Sequence, residues 1–216
     1  MDDFSGRIGE RAEPPSSPRW KGAQCLAPVQ RLNERCIELL CDIASSEDIE
    51  LQIIKENAEL WTQLDLEARS RLARMPLVIV DAQFKNEDWW RQVAQSAGQV
   101  TGAHEISNGL PPGVSEELMY ETLMFGWQIV GSNRTIALTS FAMSPAVAET
   151  IAALTAKSIR EIADRQCSSV EIRWVDDVEF WRELLGAAIA ANEEELAALH
   201  LHAKLTVLGE LVRFHE

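Results

Sequence analysis

Five basic residues in the second half of the chain are candidates for contacts with phosphate groups. They are Arg134, Lys157, Arg160, Arg165 and Arg173. Lysine and arginine side chains bind DNA by neutralising the phosphates of its backbone. Three of these residues follow the break in "PAVAETIAALTAKSIREIADR" (residues 145–165), which has the outline of a helix-turn-helix. The pattern makes this segment a candidate DNA-contacting element, with Arg134 and Arg173 around it.

The same residues can also be explained without DNA, as a structural helical hairpin and as solvated surface charges. The second helix of the segment also carries Glu161 and Asp164, so its net charge is only +1. A structural helical hairpin has the same outline as a helix-turn-helix, and its basic side chains would simply be solvated at the surface. From charge alone, the structural hairpin is favoured.

The sequence lacks the short motifs of common catalytic sites. "LVIVD" (residues 77–81) has the form of a strand and aspartate of a nucleotide hydrolase, but no GxxxxGK[ST] loop accompanies it. No GxSxG or HExxH motif is present. His200 and His202 would point to different sides of a helix, so they do not predict a shared metal ion. We therefore expect neither an enzyme nor a cofactor site nor a metal site.

The overall charge argues against a solitary nucleic-acid binder. The chain has 34 acidic and 20 basic residues and a formal net charge of −14. Residues 1–97 hold 17 acids and 12 bases, a net of −5, and residues 98–216 hold 17 acids and 8 bases, a net of −9. Such a chain is repelled by phosphate backbones and anionic membranes unless a partner supplies positive charge.

The cysteines and the N-terminal residues indicate a cytoplasmic protein. The four cysteines form no CxxC pair and have no histidine at zinc-ligand spacing, which favours free thiols. The first 30 residues contain acids and four prolines but no apolar segment typical of a signal peptide. No apolar run of 18 residues is present, so no membrane span is expected.

Bulky aromatic pairs occur in two similar stretches. "FKNEDWWRQV" contains Trp89 and Trp90, and "WVDDVEFWRELL" contains Trp174, Phe180 and Trp181. Each stretch runs from an aromatic residue through an acidic turn to an aromatic pair, an arginine and an apolar residue. Because a ligand site need not be duplicated, this recurrence favours structural anchors that pin a helix to the core.

The repeat extends over two blocks of similar size. Residues 1–29 are expected to be a disordered arm and residues 98–115 a linker, which leaves blocks 30–97 and 116–216. The offset between related positions is 90, as in Leu72 and Ile162 or in Phe84 and Trp174. A tandem duplication is the economical explanation of this offset, and chance similarity between two amphipathic stretches is the alternative. The duplication predicts a mainly α fold of two similar helical units packed as an internal pseudo-dimer.

Helical periodicity dominates both blocks. We expect one helix over Glu47–Trp61, and further helices that each begin after an N-cap residue. These caps are Asp65, Ser115, Ser144, Thr155 and Asn192. "PLVIVDA" (residues 76–82) and "SSVEIRW" (residues 168–174) are predicted to be short extended connectors rather than parts of a large sheet.

Residues 127–177 resemble the FlhD family, the D subunit of the bacterial flagellar master transcriptional regulator. The resemblance is carried by a helix ending in Ile129-Val130, the stretch "AETIAALT" (residues 148–155), Ile162-Ala163, and Arg173-Trp174 leading into acids. It implies a helical regulatory subunit that works with a zinc-containing, FlhC-like C subunit. In that family the complex binds promoter DNA and recruits RNA polymerase.

The chain also departs from the FlhD pattern. It is about twice the expected length, and Cys167 does not align with the family's intersubunit cysteine. A fused pair of units would replace the usual homodimer, so stoichiometry, including a homo-oligomer, stays open. The regulon also stays open, since FlhD-like subunits serve mobile genetic elements as well as flagella.

Two functional hypotheses follow. The first is a transcriptional regulator subunit that resembles FlhD and activates transcription together with its C-type partner. The second is an acidic helical adaptor or secretion-type chaperone that binds a partner protein without touching DNA.

Overall fold

The computed structural model describes residues 26–46, 49–95 and 109–213. It is mainly helical, as the periodicity predicted. The first six elements are α1 (Ala27–Ala44), α2 (Gln52–Lys55), α3 (Ala58–Gln63), α4 (Leu66–Ala73), β1 (Val80–Asp81) and α5 (Glu87–Gln95). The next are α6 (Pro112–Ser132), α7 (Arg134–Ser140), α8 (Pro145–Ala152), α9 (Ala156–Gln166), a 3-10 turn (Cys167–Ser169), β2 (Glu171–Ile172), α10 (Val178–Ile189) and α11 (Glu193–Arg213).

Side-chain caps define several of the helix starts that the sequence predicted. The Asp65 carboxylate accepts a hydrogen bond from the Ala68 N–H at 2.7 Å, and the Thr155 hydroxyl accepts one from the Ser158 N–H at 3.1 Å. The Ser144 hydroxyl caps α8 in the same way. Each bond satisfies one of the N–H groups that a helix start leaves without a partner.

The expected single helix over Glu47–Trp61 is wrong. Residues 49–51 are not helical, and the remainder divides into α2 and α3. Asn57 lies at the division, where its side-chain amide donates to the Ile53 carbonyl at 3.1 Å. A side chain that binds the backbone of the preceding turn competes with continuation of the helix.

Two predicted boundaries also shift. Helix α1 begins at Ala27, within the segment expected to be a disordered arm, and α6 begins at Pro112, within the expected linker. Ser115 therefore lies inside α6 and does not cap it. Both helices have a proline in their first turn, where the missing N–H costs nothing. Residues 1–25 of the arm and residues 98–108 of the linker lie outside the described residues.

The two blocks share one order of elements. Each has a long helix, two short helices, a capped helix, a strand and a further helix, and α11 is added in the second block. The strands β1 and β2 are 91 residues apart. Gln83 and Trp174, two of the described residues with positive φ, keep this offset. The offset is 90 at the caps Asp65 and Thr155 and 91 at the strands, so the second block has one additional residue before β2. The sequence alignment of Phe84 with Trp174 is therefore wrong by one residue.

The strands β1 and β2 join the two blocks. They pair antiparallel, with Val80 opposite Ile172 and Asp81 opposite Glu171. At an offset of 91, Val80 corresponds to Glu171 and Asp81 to Ile172, so each residue pairs with the counterpart of its neighbour. The extended segments are thus as short as predicted, and they form a two-stranded ladder with each other.

The last helix of each shared set packs on the opposite block. Helix α5 packs on α8, whereas α10 packs on α2, α3 and α4. The long helices α1 and α6 also meet, and there Arg35 forms ion pairs with Glu117 and, at 3.8 Å, with Glu121. The buried hydrophobic residues of both blocks form one continuous core.

Candidate nucleic-acid interface

Helices α8 and α9 form the helix-turn-helix outline that the sequence suggested. Residues 153–155 connect the two helices, and Thr155 caps α9. The inner face of α9 buries Ile159, Ile162 and Ala163, and the helix packs along α6. Burial of this face fixes which side of α9 is turned to solvent.

The exposed side of α9 carries the three basic residues of the predicted site. The Lys157 side chain is 86% exposed, and its amine lies 3.7 Å from the Glu161 carboxylate. The Arg160 guanidinium lies 4.3 Å from the centre of the Tyr120 ring, a cation–π contact that links α9 to α6. Arg165 is also exposed. Since the acids Glu161 and Asp164 share this side, the surface is only weakly positive.

Arg134 lies close to the same helix pair. Its guanidinium donates to the Pro145 carbonyl at 3.2 Å and to the Glu149 carboxylate at 2.9 Å. About half of the Arg134 side chain is exposed. It therefore ties the start of α7 to α8 while leaving part of its guanidinium at the surface.

Arg173 is corrected from a candidate DNA contact to a residue of the core. Its side chain is 5% exposed and donates to the carbonyls of Val78 and Phe141, each at 2.9 Å. A third guanidinium nitrogen lies 3.1 Å from the Asp81 carboxylate. A guanidinium that is enclosed in this way offers no surface to a phosphate, and it holds the two blocks together instead.

The three basic positions of α9 are not repeated in the first block. In α4, which corresponds to α9 at the offset of 90, Glu67 stands at the position of Lys157 and Ser70 at that of Arg160. The first block therefore lacks the Lys157–Arg160 arrangement at the equivalent position.

The aromatic pairs occupy positions that suit the predicted anchors. Trp90 and Trp181 are fully buried, and their indole N–H groups donate to the carbonyls of Ala82 and Arg173, at 3.2 and 3.3 Å. Phe180 is 6% exposed. Trp89 and Trp174 are only half-buried, and each lies with its ring centre about 5 Å from that of the neighbouring aromatic residue. The two fully buried indoles thus carry most of the anchoring contacts.

An acidic cleft of about 450 Å³, which the sequence did not predict, lies beside the strand ladder. The acids Asp81, Glu171, Asp176 and Asp177 line it, together with the cations Lys85 and Arg173. Burial and the neighbouring carboxylates of Asp81 and Asp176 raise the pKa of Glu171. The pairing of β1 with β2 brings these residues together. The recurrence of an acidic turn in the two aromatic stretches was the one feature of the sequence that pointed to the cleft. Its negative field repels phosphate.

Other candidate chemistry is absent from the described part of the chain. No group of three His, Cys, Asp or Glu side chains in residues 26–46, 49–95 and 109–213 is placed to hold a metal ion. None of the described helices has the length and apolar character needed to cross a membrane.

No protein-family model matches the sequence, and no curated protein or solved structure matches it. The interpretation of the α8–α9 surface therefore rests on its geometry and on the residues that resemble FlhD.

Proposed function

We propose that the chain is a transcriptional regulator subunit built as an internal pseudo-dimer, which reaches promoter DNA chiefly through a C-type, FlhC-like partner. The single observation that carries the regulatory role is the capped helix pair α8–α9, whose outer side presents Lys157, Arg160 and Arg165. These helices belong to the segment that resembles FlhD. Recruitment of RNA polymerase by the assembled complex belongs to the same proposal.

Three features support the pseudo-dimer. The element order repeats, the corresponding strands β1 and β2 pair with each other, and the corresponding helices α5 and α10 each pack on the opposite block. An exchange of identical elements is a low-cost route from a monomer to a dimer, and a fused gene retains such a contact within one chain. The fusion would replace the dimer that FlhD-like subunits form.

The charge distribution supports a partner-dependent contact with DNA. The α9 surface has a net charge of +1, Arg173 is buried, and the chain carries −14 overall. Specific DNA binding usually requires the neutralisation of several phosphates. In this proposal the partner supplies most of that charge, and α9 contributes a few contacts on one side.

The proposal is tested in the host cell. The full chain is tagged and crosslinked to DNA, and the DNA recovered with it is sequenced. We expect enrichment at discrete promoters, which the triple variant Lys157→Ala, Arg160→Ala, Arg165→Ala reduces. The control is a triple variant of exposed cations elsewhere, Lys55→Ala, Arg91→Ala and Arg182→Ala. Enrichment no greater than that of an untagged strain would contradict the proposal.

The second candidate is an acidic adaptor or secretion-type chaperone that does not touch DNA. Two exposed leucines of α11, Leu201 and Leu205, favour it because they offer an apolar protein-binding surface. This candidate predicts that the tagged chain recovers a protein partner while promoter DNA stays at background.

A further inference from the structure

The seam between the two blocks joins unlike charges. It comprises the contacts of α1 with α6, of β1 with β2 and of α4 with α10. At the surface of the seam, Arg35 of the first block pairs with Glu117 and, at 3.8 Å, with Glu121 of the second block. At the end of α4, the Arg74 guanidinium lies 3.3 Å from the carboxylate of Glu193, the first residue of α11. In both places the first block supplies the cation and the second block supplies the acid.

In the core of the seam the direction is reversed. The guanidinium of Arg173, from the second block, lies 3.1 Å from the Asp81 carboxylate of the first block, and the Arg173 side chain is 5% exposed. The same guanidinium donates to the Val78 carbonyl of the first block at 2.9 Å. Removal of one partner of a buried ion pair is costly, whereas replacement of both partners by apolar side chains is often neutral for stability. The effect of such a pair is therefore largest on a mismatched seam, where one partner is missing.

A seam made from two copies of the same block would be mismatched. Two first blocks would bring two Asp81 carboxylates to the seam with no Arg173, and each Arg35 would keep its pair with Glu38 of the same helix but lose those with α6. Two second blocks would bury two Arg173 side chains without Asp81 and would bring the acids of two α6 helices together. Unpaired buried charges and facing like charges disfavour a wrong partner.

We propose that these charges make the pairing of the blocks selective, so that the first block accepts the second block and rejects a copy of itself. A symmetric homodimer uses the same patch twice, whereas the seam of this chain joins two different patches. One chain therefore closes on itself, and two chains do not form pairs of like blocks. This inference rests on the internal pseudo-dimer and is independent of the proposed contact with DNA, so that either one can fail without the other.

The first test lets the blocks choose their partners. A protease site is placed between residues 98 and 108 of the full-length chain, and the cleaved protein is prepared with and without an isotope label. The two preparations are mixed, carried through partial unfolding in urea and back, and weighed by native mass spectrometry. We expect pairs of one first and one second block with exchanged labels, and pairs of like blocks at less than about one tenth of that amount. Like pairs in statistical amounts would overturn the proposal, as would blocks that form no pairs after cleavage.

The second test changes the charges of the seam in the cleaved protein. Asp81→Met with Arg173→Met should retain the helical circular dichroism and raise the share of like pairs about tenfold. Asp88→Asn with Arg91→Gln neutralises an ion pair within α5 and is the matched control, which should keep the wild-type share. Arg35→Glu, at a partly exposed position that leaves the core intact, should raise the share at low salt and not at high salt. A share of like pairs that stays at the wild-type level in both seam variants would overturn the proposal.

Discussion

Two indole N–H groups make the same bond in the two blocks. The Trp90 indole donates to the carbonyl of Ala82, and the Trp181 indole donates to that of Arg173, each eight residues earlier in the chain. Both carbonyls directly precede a residue with positive φ, Gln83 or Trp174. Each tryptophan therefore fills the core and also satisfies a carbonyl at a turn that the strand pairing leaves buried.

Truncation of either buried indole should be strongly destabilising. Trp90→Ala and Trp181→Ala each remove a fully buried side chain and its hydrogen bond, and each should cost about 3–5 kcal/mol of unfolding free energy. Trp89→Ala removes a half-buried ring and serves as the control, with a clearly smaller loss. Urea unfolding of the three variants measures these values. Equal losses for Trp89 and Trp90 would contradict the assignment of Trp90 as the anchor.

Arg173 should be essential for the fold and not for DNA binding. Arg173→Met leaves the Val78 and Phe141 carbonyls without their donor and the Asp81 carboxylate without its partner, so we expect a loss of about 3–5 kcal/mol. The exposed ion pair of Arg134 with Glu149 is the comparison, and Arg134→Ala should cost less than about 1 kcal/mol. Chemical denaturation gives both numbers, and a similar small loss for the two variants would refute a structural role for Arg173.

Glu171 should destabilise the folded chain at neutral pH. Its carboxylate is partly buried and lies opposite Asp81 in the ladder, and both effects raise its pKa in the folded state. The folded state therefore holds the proton of the Glu171 carboxyl more tightly than the unfolded state does. The contribution of Glu171 to stability then falls as pH rises from the unfolded-state pKa through the raised folded-state pKa.

Glu171→Gln should therefore raise the melting temperature at neutral pH. The gain should shrink as pH falls below the raised pKa, where the wild-type carboxyl is itself neutral. Melting curves from pH 4 to pH 8 check this, with Glu183→Gln on the exposed side of α10 as the control. A gain that persists unchanged in acid would show that charge is not its cause.

Neither block is complete alone, because α5 and α10 each pack on the opposite block. Trp61 of α3 stacks against Trp181 of α10, with ring centres 5.6 Å apart. The Asn57 amide donates to the Val178 carbonyl at 3.2 Å, between the same blocks. If α10 separated from the first block, both of these contacts would be lost. The two blocks should therefore unfold together.

The coupling between α3 and α10 is open to a double-mutant cycle. Trp61→Ala and Trp181→Ala remove rings that touch each other, so their combined effect should differ from the sum of the single effects by about 0.5–1.5 kcal/mol. The pair Trp61→Ala and Trp90→Ala, whose rings do not stack on each other, should be additive. Additivity of the first pair would contradict the observed packing of α10 across the blocks.

The sequence predicted individual elements better than their connections. Caps such as Asp65 and Thr155 act within three residues, and for that reason local patterns revealed them. Asn33 gave no such signal, although its buried side chain binds the backbone of residues 73, 75, 77 and 79 and so holds the segment before β1 against α1. Contacts of this kind join positions about 40 residues apart, which periodicity cannot detect.

For the candidate site, too, local patterns were predicted correctly and contacts between distant segments were not. The exposed positions of Lys157, Arg160 and Arg165 agree with the helical spacing, because the apolar side of α9 fixes its outer side. The prediction for Arg173 was wrong because its burial depends on Val78, Asp81 and Phe141, which come from two blocks. Charge type and local spacing identify a surface only when no distant segment covers it.

The whole molecule is an acidic body with a small basic surface. Its net charge of −14 opposes DNA, and the +1 of the exposed α9 residues offsets little of it. Tight binding to a promoter therefore requires a second source of positive charge. The proposed C-type partner supplies it, so that the chain alone and the complex should differ sharply in their affinity for DNA.

The most direct test of this account is the affinity for one promoter fragment, chosen from those that the tagged chain enriches. Fluorescence anisotropy compares the purified chain alone with the complex recovered from the host, over a series of salt concentrations. We expect weak or absent binding by the chain alone, and tight binding by the complex that weakens steeply as salt rises. Tight, salt-sensitive binding by the chain alone would contradict it.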